Sequence, residues 1–300
     1  MFVHNKILQI RWMLVSFLAL WCVLQAAVLR AAPSVPVSSV AAFPSSLGTI
    51  VYQLHSDMPC QLYIVANSHR SCATGANGSK TLRAQIETFR IGEWLLKRKH
   101  LDLLLPEGFF GHDNATELPH WSAVRLDGQT LEKRLADTST FVNAELLLHR
   151  HYGIGLYQVE DAAIYNRAKA LLRSGLKDGA VLSPGFGKDL NYLQERRLAA
   201  ILQNVPTVLS HAERRERIST PTAMLTIGLA HLPDIIRYLK NGNIRISPAP
   251  GSKDLFPSFH TQLTLDRQDI GITVIVPHSL LSSRKLAQVA SSFQSAKPTP

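Results

Sequence analysis

From residue 47 to residue 277, short apolar runs alternate with segments whose apolar residues recur every three or four positions. The runs GTIVYQL, QLYIVA, LDLLLPEG, YGIGLYQVED, AMLTIGLA, IRISPA and DIGITVIVP have the length and composition of strands. Between them, TLRAQIETFRIGEWLLKRKH places Leu82, Ile86, Phe89, Leu95 and Leu96 at helical spacing. AAIYNRAKALLRS, GKDLNYLQERRLAAILQNV and HLPDIIRYLKNG read as three further helices, the last closed by Gly242. Strands separated by helices of this length predict an α/β fold with a largely parallel central sheet flanked by helices. The polar stretch at about 112–150 is expected to be a helical insert, and 47–292 to form a single domain ending in a disordered tail, 293–300.

The start of the chain follows another pattern. Lys6 and Arg11 precede an apolar run from Trp12 to Leu29, and the small residues Ala31, Ala32 and Ser34 follow. A basic start, an apolar core and a small-residue exit form a secretory signal peptide over 1–32, and the run is also long enough to serve as an uncleaved anchor. Trp21 stands before Cys22 where a lipoprotein signal needs a small residue, so lipidation is not the expected fate. Residues 33–46 are rich in Pro, Ser and Ala and read as a linker. The expectation is an exported protein, periplasmic or secreted, that meets a membrane only through this segment.

Export changes how the rest is weighed. Cys60 and Cys72 remain after the signal, and in an oxidising compartment they are expected to pair as a disulfide; their spacing matches no zinc pattern. The net charge is +10, of which Lys6, Arg11 and Arg30 supply three. The remaining basic residues are scattered, as in LLKRKH and AERRERI, which argues for solvated helix faces and against a nucleic-acid partner. The composition, 46% hydrophobic and 18% charged, excludes a disordered or collagen-like chain.

Ligand sites in open α/β sheets gather at the carboxyl ends of strands. Four ionisable residues fall there: His69 after LYIVANS, Glu107 after LDLLLP, Glu160 after GLYQV, and His231 after LTIGLA. Each alone has an ordinary explanation as a cap or turn residue. Together, two histidines and two glutamates at strand ends form a set that could bind a divalent metal or activate water.

The same residues carry a family resemblance. GLAH (Gly228–His231), followed by Leu232 and Pro233, resembles the second G-x-x-H motif of the Tiki/TraB superfamily, which includes the ChaN-like haem-binding lipoproteins and the erythromycin esterases. ANSH (Ala66–His69) resembles the first motif, with Ala66 where the family has glycine. LLLPEG and LYQVED supply the family's two glutamates as Glu107 and Glu160, and YLQERRLAAIL looks like its arginine helix, with Arg196 assigned ahead of Arg197. The resemblance spans about residues 60 to 242 with its motifs in family order. It implies a site built from both halves of the chain. His69 and His231 would be metal ligands or the general base, Glu107 and Glu160 would complete the site, and the arginine would hold an anionic or carbonyl oxygen.

Other polar groups are weaker candidates. His112, Asp113, His120 and His149 to His151 lack ligand spacing on one helix face. Ser68 and Ser71 lack a nucleophile elbow, and SPGFGK (Ser183–Lys188) lacks the spacing of a phosphate loop. Asn77 and Asn114 open glycosylation sequons. The expected function is hydrolysis of an ester or amide in a small-molecule or peptide substrate, with a divalent metal allowed. The alternatives are a haem or iron-ligand binding protein, for which Tyr157 or Tyr192 should face a wide apolar groove, and an inactive structural member of the fold.

Overall fold

The computed structural model describes residues 42–68, 78–113, 125–137, 142–177, 184–216, 218–248, 257–263, 265 and 270–281. Contacts divide the chain into Met1–Ala42 and Phe43–Pro300, and the fold described is that of the second unit. The expected N-terminal signal or anchor, residues 33–41 of the linker, His69, Ser71, Cys72, Asn77, Asn114, His120 and the tail lie outside the described residues. Among the described residues no helix is long and apolar enough to cross a membrane.

The expected α/β architecture is present. The strands are β1 (Gly48–Leu54), β2 (Cys60–Asn67), β3 (Leu103–Pro106), β4 (His112–Asp113), β5 (Gly155–Tyr157), β6 (Thr222–Gly228) and β9 (Ile270–Pro277), in the sheet order β1-β9-β2-β6-β3-β5-β4. The five central strands are parallel, and the edges β1 and β4 run antiparallel to their neighbours. A further hairpin-like pair, β7 (Asn243–Ile246) and β8 (Phe259–Gln262), forms its own two-stranded sheet. IRIS is therefore a strand as expected, but it does not join the main sheet.

Strand alternation explains how both faces are covered. On β2, Leu62, Ile64 and Ala66 point into one core with Leu103, Leu105, Leu225 and Ile227, whereas Tyr63 and Val65 point into a second core with Leu104, Leu156 and Met224. A strand buried on both sides must read as a continuous apolar run, and these do. Each fully buried Leu or Ile contributes on the order of 1.5–3 kcal/mol through removal from water.

The helices α1 (Ser79–Lys99), α2 (Gly128–Ala136) and α3 (Ala144–Tyr152) supply the second core. Gly92 lets α1 and α3 meet closely, since a Cβ there would stand 2.3 Å from Leu148 Cδ1. On the other face lie α4 (Ala162–Lys177), α5 (Pro184–Glu216) and α6 (Leu232–Asn241). The sequence pattern places α5 over 187–205, ahead of Pro206, yet the helix runs through the proline. Leu209 and Ala212, beyond Pro206, stay buried in the same core, and that packing offsets the lost backbone hydrogen bond. Tyr238 on α6 reaches back to α5, its hydroxyl donating to Glu195 at 3.4 Å.

Two predictions follow from these helix ends and contacts. His100, which closes α1, has φ 53°, a left-handed conformation that glycine adopts without penalty. His100→Gly should raise stability by ~0.5–1 kcal/mol, measured by urea unfolding. Burial, and then the charge of Asp234, hold the Glu195 carboxyl above its usual range against the pull of Arg237 and the Tyr238 hydroxyl. A raised folded pKa means that stability from this group is present at low pH and is lost as pH rises through the carboxylate range. Glu195→Gln should therefore raise the neutral-pH Tm by ~1–2 °C, and the gain over the parent should vanish near pH 4.

Candidate functional site

Three strands deliver their carboxyl ends to one edge, where β6 lies between β2 and β3. The chain leaves β2 and β3 toward the face carrying α1 to α3, and leaves β6 and β5 toward the opposite face. This reversal opens a crevice at the strand ends, the usual ligand position in open α/β sheets.

Glu107 directly follows β3, and its backbone N–H continues the ladder to Thr226 O at 3.0 Å. Its Oε2 accepts the Gly228 N–H at 2.6 Å, so the carboxylate is fastened across to the end of β6. Glu160 follows β5 and accepts the Gly108 N–H at 3.0 Å, which fastens it to the end of β3. Gly108 has φ 79°, and this left-handed turn is what points its N–H at Glu160. Asn204 on α5 holds the same loop by donating to Val159 O at 2.9 Å. Capping of α4 falls to Asp161, which accepts from Ala163 and Ile164, so Glu160 is released from that duty.

Between the two glutamates lies Arg197. Its Nε donates to both Glu160 oxygens at 3.0 Å, one terminal nitrogen bonds Glu160 again, and the other meets Glu107 at 3.0 Å and Gln194 at 3.3 Å. The ring of Tyr165 lies 5.0 Å from the guanidinium carbon. Burial works against the charge on Arg197, and the bonds and charges of Glu160 and Glu107 outweigh it, so the guanidinium is held above its usual basicity. The glutamate side chains are 7% exposed at Glu107 and fully buried at Glu160.

The arginine that meets the carboxylates is thus Arg197 and not the expected Arg196. Arg196 points the other way, its guanidinium 4.2 Å from the Phe259 ring and bonded to the Tyr192 hydroxyl at 3.1 Å. Helical phase explains the difference. Arg197 lies four residues after Leu193 and four before Ile201, both buried, and so falls on the apolar stripe of α5.

His231 ends the three-residue turn Leu229–His231 that joins β6 to α6. Its Nε2 stands 3.7 Å from Glu107 Oε1, the oxygen that also meets Arg197. Glu107, Glu160, Arg197 and His231 therefore converge, while His69 lies outside the described residues. Among the described residues no group of three or more His, Cys, Asp or Glu could hold a metal ion. Arg197 takes the place between the glutamates that a shared cation would need. Tyr157 and Tyr192, the tyrosines expected to face a haem, are both buried, and Tyr192 donates to Pro257 O.

A cleft of about 490 Å³ opens beside the cluster, with Glu107, Arg197 and Tyr165 on one side and Asn67, Gln85 and Glu145 on the other. His231 lies behind Glu107 in a narrow crevice shared with Gln194 and Ile201. Across the cleft the polar groups are mutually held. Asn67 donates to Glu145 at 3.2 Å and accepts from Gln85 at 2.9 Å, and Gln85 accepts the Ala144 N–H at 2.7 Å. Nothing in the sequence pattern singles out Gln85 or Glu145. Asn67 alone carried a signal, as the last residue of a buried strand.

The triad sets up a stability prediction. Arg197→Met would leave two carboxylates buried without their cation and should cost ~3–5 kcal/mol at neutral pH, less at pH 4, by chemical denaturation. Arg196→Ala, which loses a stacked and partly exposed side chain, should cost ~1 kcal/mol or less. Adding Glu160→Gln to Arg197→Met should recover part of the loss.

Comparison with protein-family models, with curated proteins and with solved structures returned no match for this chain.

Proposed function

We propose that the chain is a hydrolase that activates water with a histidine–glutamate pair, acting on an ester or amide bond of a small-molecule or peptide substrate. The observation that carries this reading is the convergence of Glu107, Glu160, Arg197 and His231 at the strand ends beside a cleft. A carboxylate beside an imidazole stabilises the imidazolium that forms when the ring gains a proton, and Glu107 Oε1 stands 3.7 Å from His231 Nε2. In this reading Glu107, on the cleft wall, takes the proton of the attacking water, and His231 behind it receives that proton. The substrate lies in the cleft with its scissile bond at the Glu107 rim.

Arg197 is a positioning residue. Its N–H groups are directed to Glu160, Glu107 and Gln194, so it fixes the carboxylates rather than offering donors to a substrate oxygen. His69, as second histidine and candidate ligand of a divalent metal, remains part of the proposal on the strength of the resemblance to the Tiki/TraB superfamily. Export by the N-terminal segment, the Cys60–Cys72 disulfide in an oxidising compartment, and the reading of 112–150 as an insert also remain part of the proposal, each on the sequence pattern that suggested it.

The test is a screen of the purified chain against p-nitrophenyl esters of short acids and against peptide p-nitroanilides, with and without EDTA. An activity found there should fall by ~10²–10⁴-fold in His231→Ala and in Glu107→Gln, and remain within about twofold in Arg196→Ala. Loss in EDTA restored by zinc or manganese would assign the metal. Unchanged turnover in His231→Ala would overturn the proposed role of the pair.

A further inference from the structure

We infer that a second cavity on the same edge of the sheet is a binding site for a phosphate-bearing group, held by Lys80, Arg83 and His278. This cavity, of about 530 Å³, lies between the first turn of α1 and the short turn His278–Leu280 that follows β9, and Ser79, Ser279 and Leu281 complete its lining. Three side chains that carry or can take positive charge, from segments about two hundred residues apart, meet around one open volume. Lys80, Arg83 and His278 are all exposed, and among the described residues none of them has an ion-pair partner. Like charges gathered around one cavity repel one another, and a bound anion relieves that repulsion.

The surroundings reinforce the sign of the site. The first turn of α1 has no acidic residue, and its N-cap, Gly78, offers no side-chain acceptor, so neither supplies a negative group to offset the positive end of the helix dipole. The nearby carboxylate, Glu87, is already engaged, accepting the Ser279 N–H at 2.8 Å and the Ser279 hydroxyl at 2.7 Å. Those bonds tie the 278–280 turn to α1 and so hold His278 opposite Lys80 and Arg83. A fork of Arg donors, a Lys point charge and an imidazole suit the three oxygens of a phosphate better than the two of a carboxylate. The volume greatly exceeds one phosphate ion, so the group is expected to arrive on a larger molecule. The site stands independently of the hydrolase reading, since its residues take no part in the cluster around Glu107.

The experiment titrates the full chain with inorganic phosphate and with glycerol 3-phosphate, following Tm against sodium chloride at matched ionic strength. Flotation with phosphatidylglycerol and with phosphatidylcholine vesicles runs alongside. Phosphate or its ester should raise Tm by ~2–4 °C at saturating concentration, beyond any chloride effect. Lys80→Ala/Arg83→Ala should abolish that rise, Lys80→Arg/Arg83→Lys should keep most of it, and Lys240→Ala, a basic change elsewhere, should keep all of it. A rise with the soluble ester assigns a dissolved phosphomonoester. Capture by phosphatidylglycerol vesicles alone, lost in the alanine pair, assigns a lipid headgroup as the source of the same chemistry. No response in either arm, or a response that the alanine pair retains, would overturn the site.

Discussion

The salt-bridged cluster Glu107–Arg197–Glu160 is the constraint on which the rest of the site depends. One guanidinium answers two carboxylates from successive parallel strands, and each carboxylate also takes a backbone N–H from a neighbouring strand end. The result is a cross-link where the backbone ladder gives out, just past the bond from Glu107 N–H to Thr226 O. Taking three charges out of water costs several kcal/mol per ion before pairing, and hydrophobic replacements of similar ion clusters are often neutral or stabilising. Stability alone is thus a weak reason for such a cluster here. Its position gives the better reason: Glu107 is at once the wall of the cleft, the partner of Arg197 and the neighbour of His231.

Charge balance within the cluster makes His231 more than an onlooker. Two carboxylates and one guanidinium carry a net charge of −1, and the imidazole is the nearest described group able to offset it. A proton gained by His231 would land 3.7 Å from Glu107 Oε1. The same carboxylate that Arg197 holds still is therefore the one that would receive a developing positive charge. Fixed charges that need no rearrangement when charge develops are what a water-activating site requires.

Much of this was legible in the chain, for reasons that differ by residue. β2, β6 and β9 were readable because strands buried on both faces cannot hide their apolar runs. Glu107, Glu160 and His231 were readable only as a set of polar residues closing buried runs, since each alone had an ordinary use as a cap or turn residue. Arg197 was missed in favour of Arg196 because motif matching weighed two adjacent arginines equally, whereas the phase of α5 separates them by about 100° of helix rotation. β4, with two residues, and β8, with the mixed sequence FHTQ, carry too little periodicity to announce a strand. The cleft's far wall was not legible either. Glu145 sits among leucines on α3, and its bond from Asn67, which Gln85 holds in turn, is set by tertiary placement alone.

The two cavities share one edge of the sheet but differ in what they ask of a ligand. The cleft beside Glu107 is walled by carboxylates and amides, with Arg197 already engaged, so it favours a neutral or donor-rich group. The cavity at α1 is walled by Lys80, Arg83 and His278, and it favours an anion. β2 separates them: its end, Asn67, lines the first, and the helix that follows it opens the second. A single molecule reaching both would need a hydrolysable bond at one end and a phosphate at the other. Opposite electrostatic signs on either side of one strand would then fix its orientation, because reversing it would bring phosphate to the carboxylates and leave the basic cavity without a counter-charge.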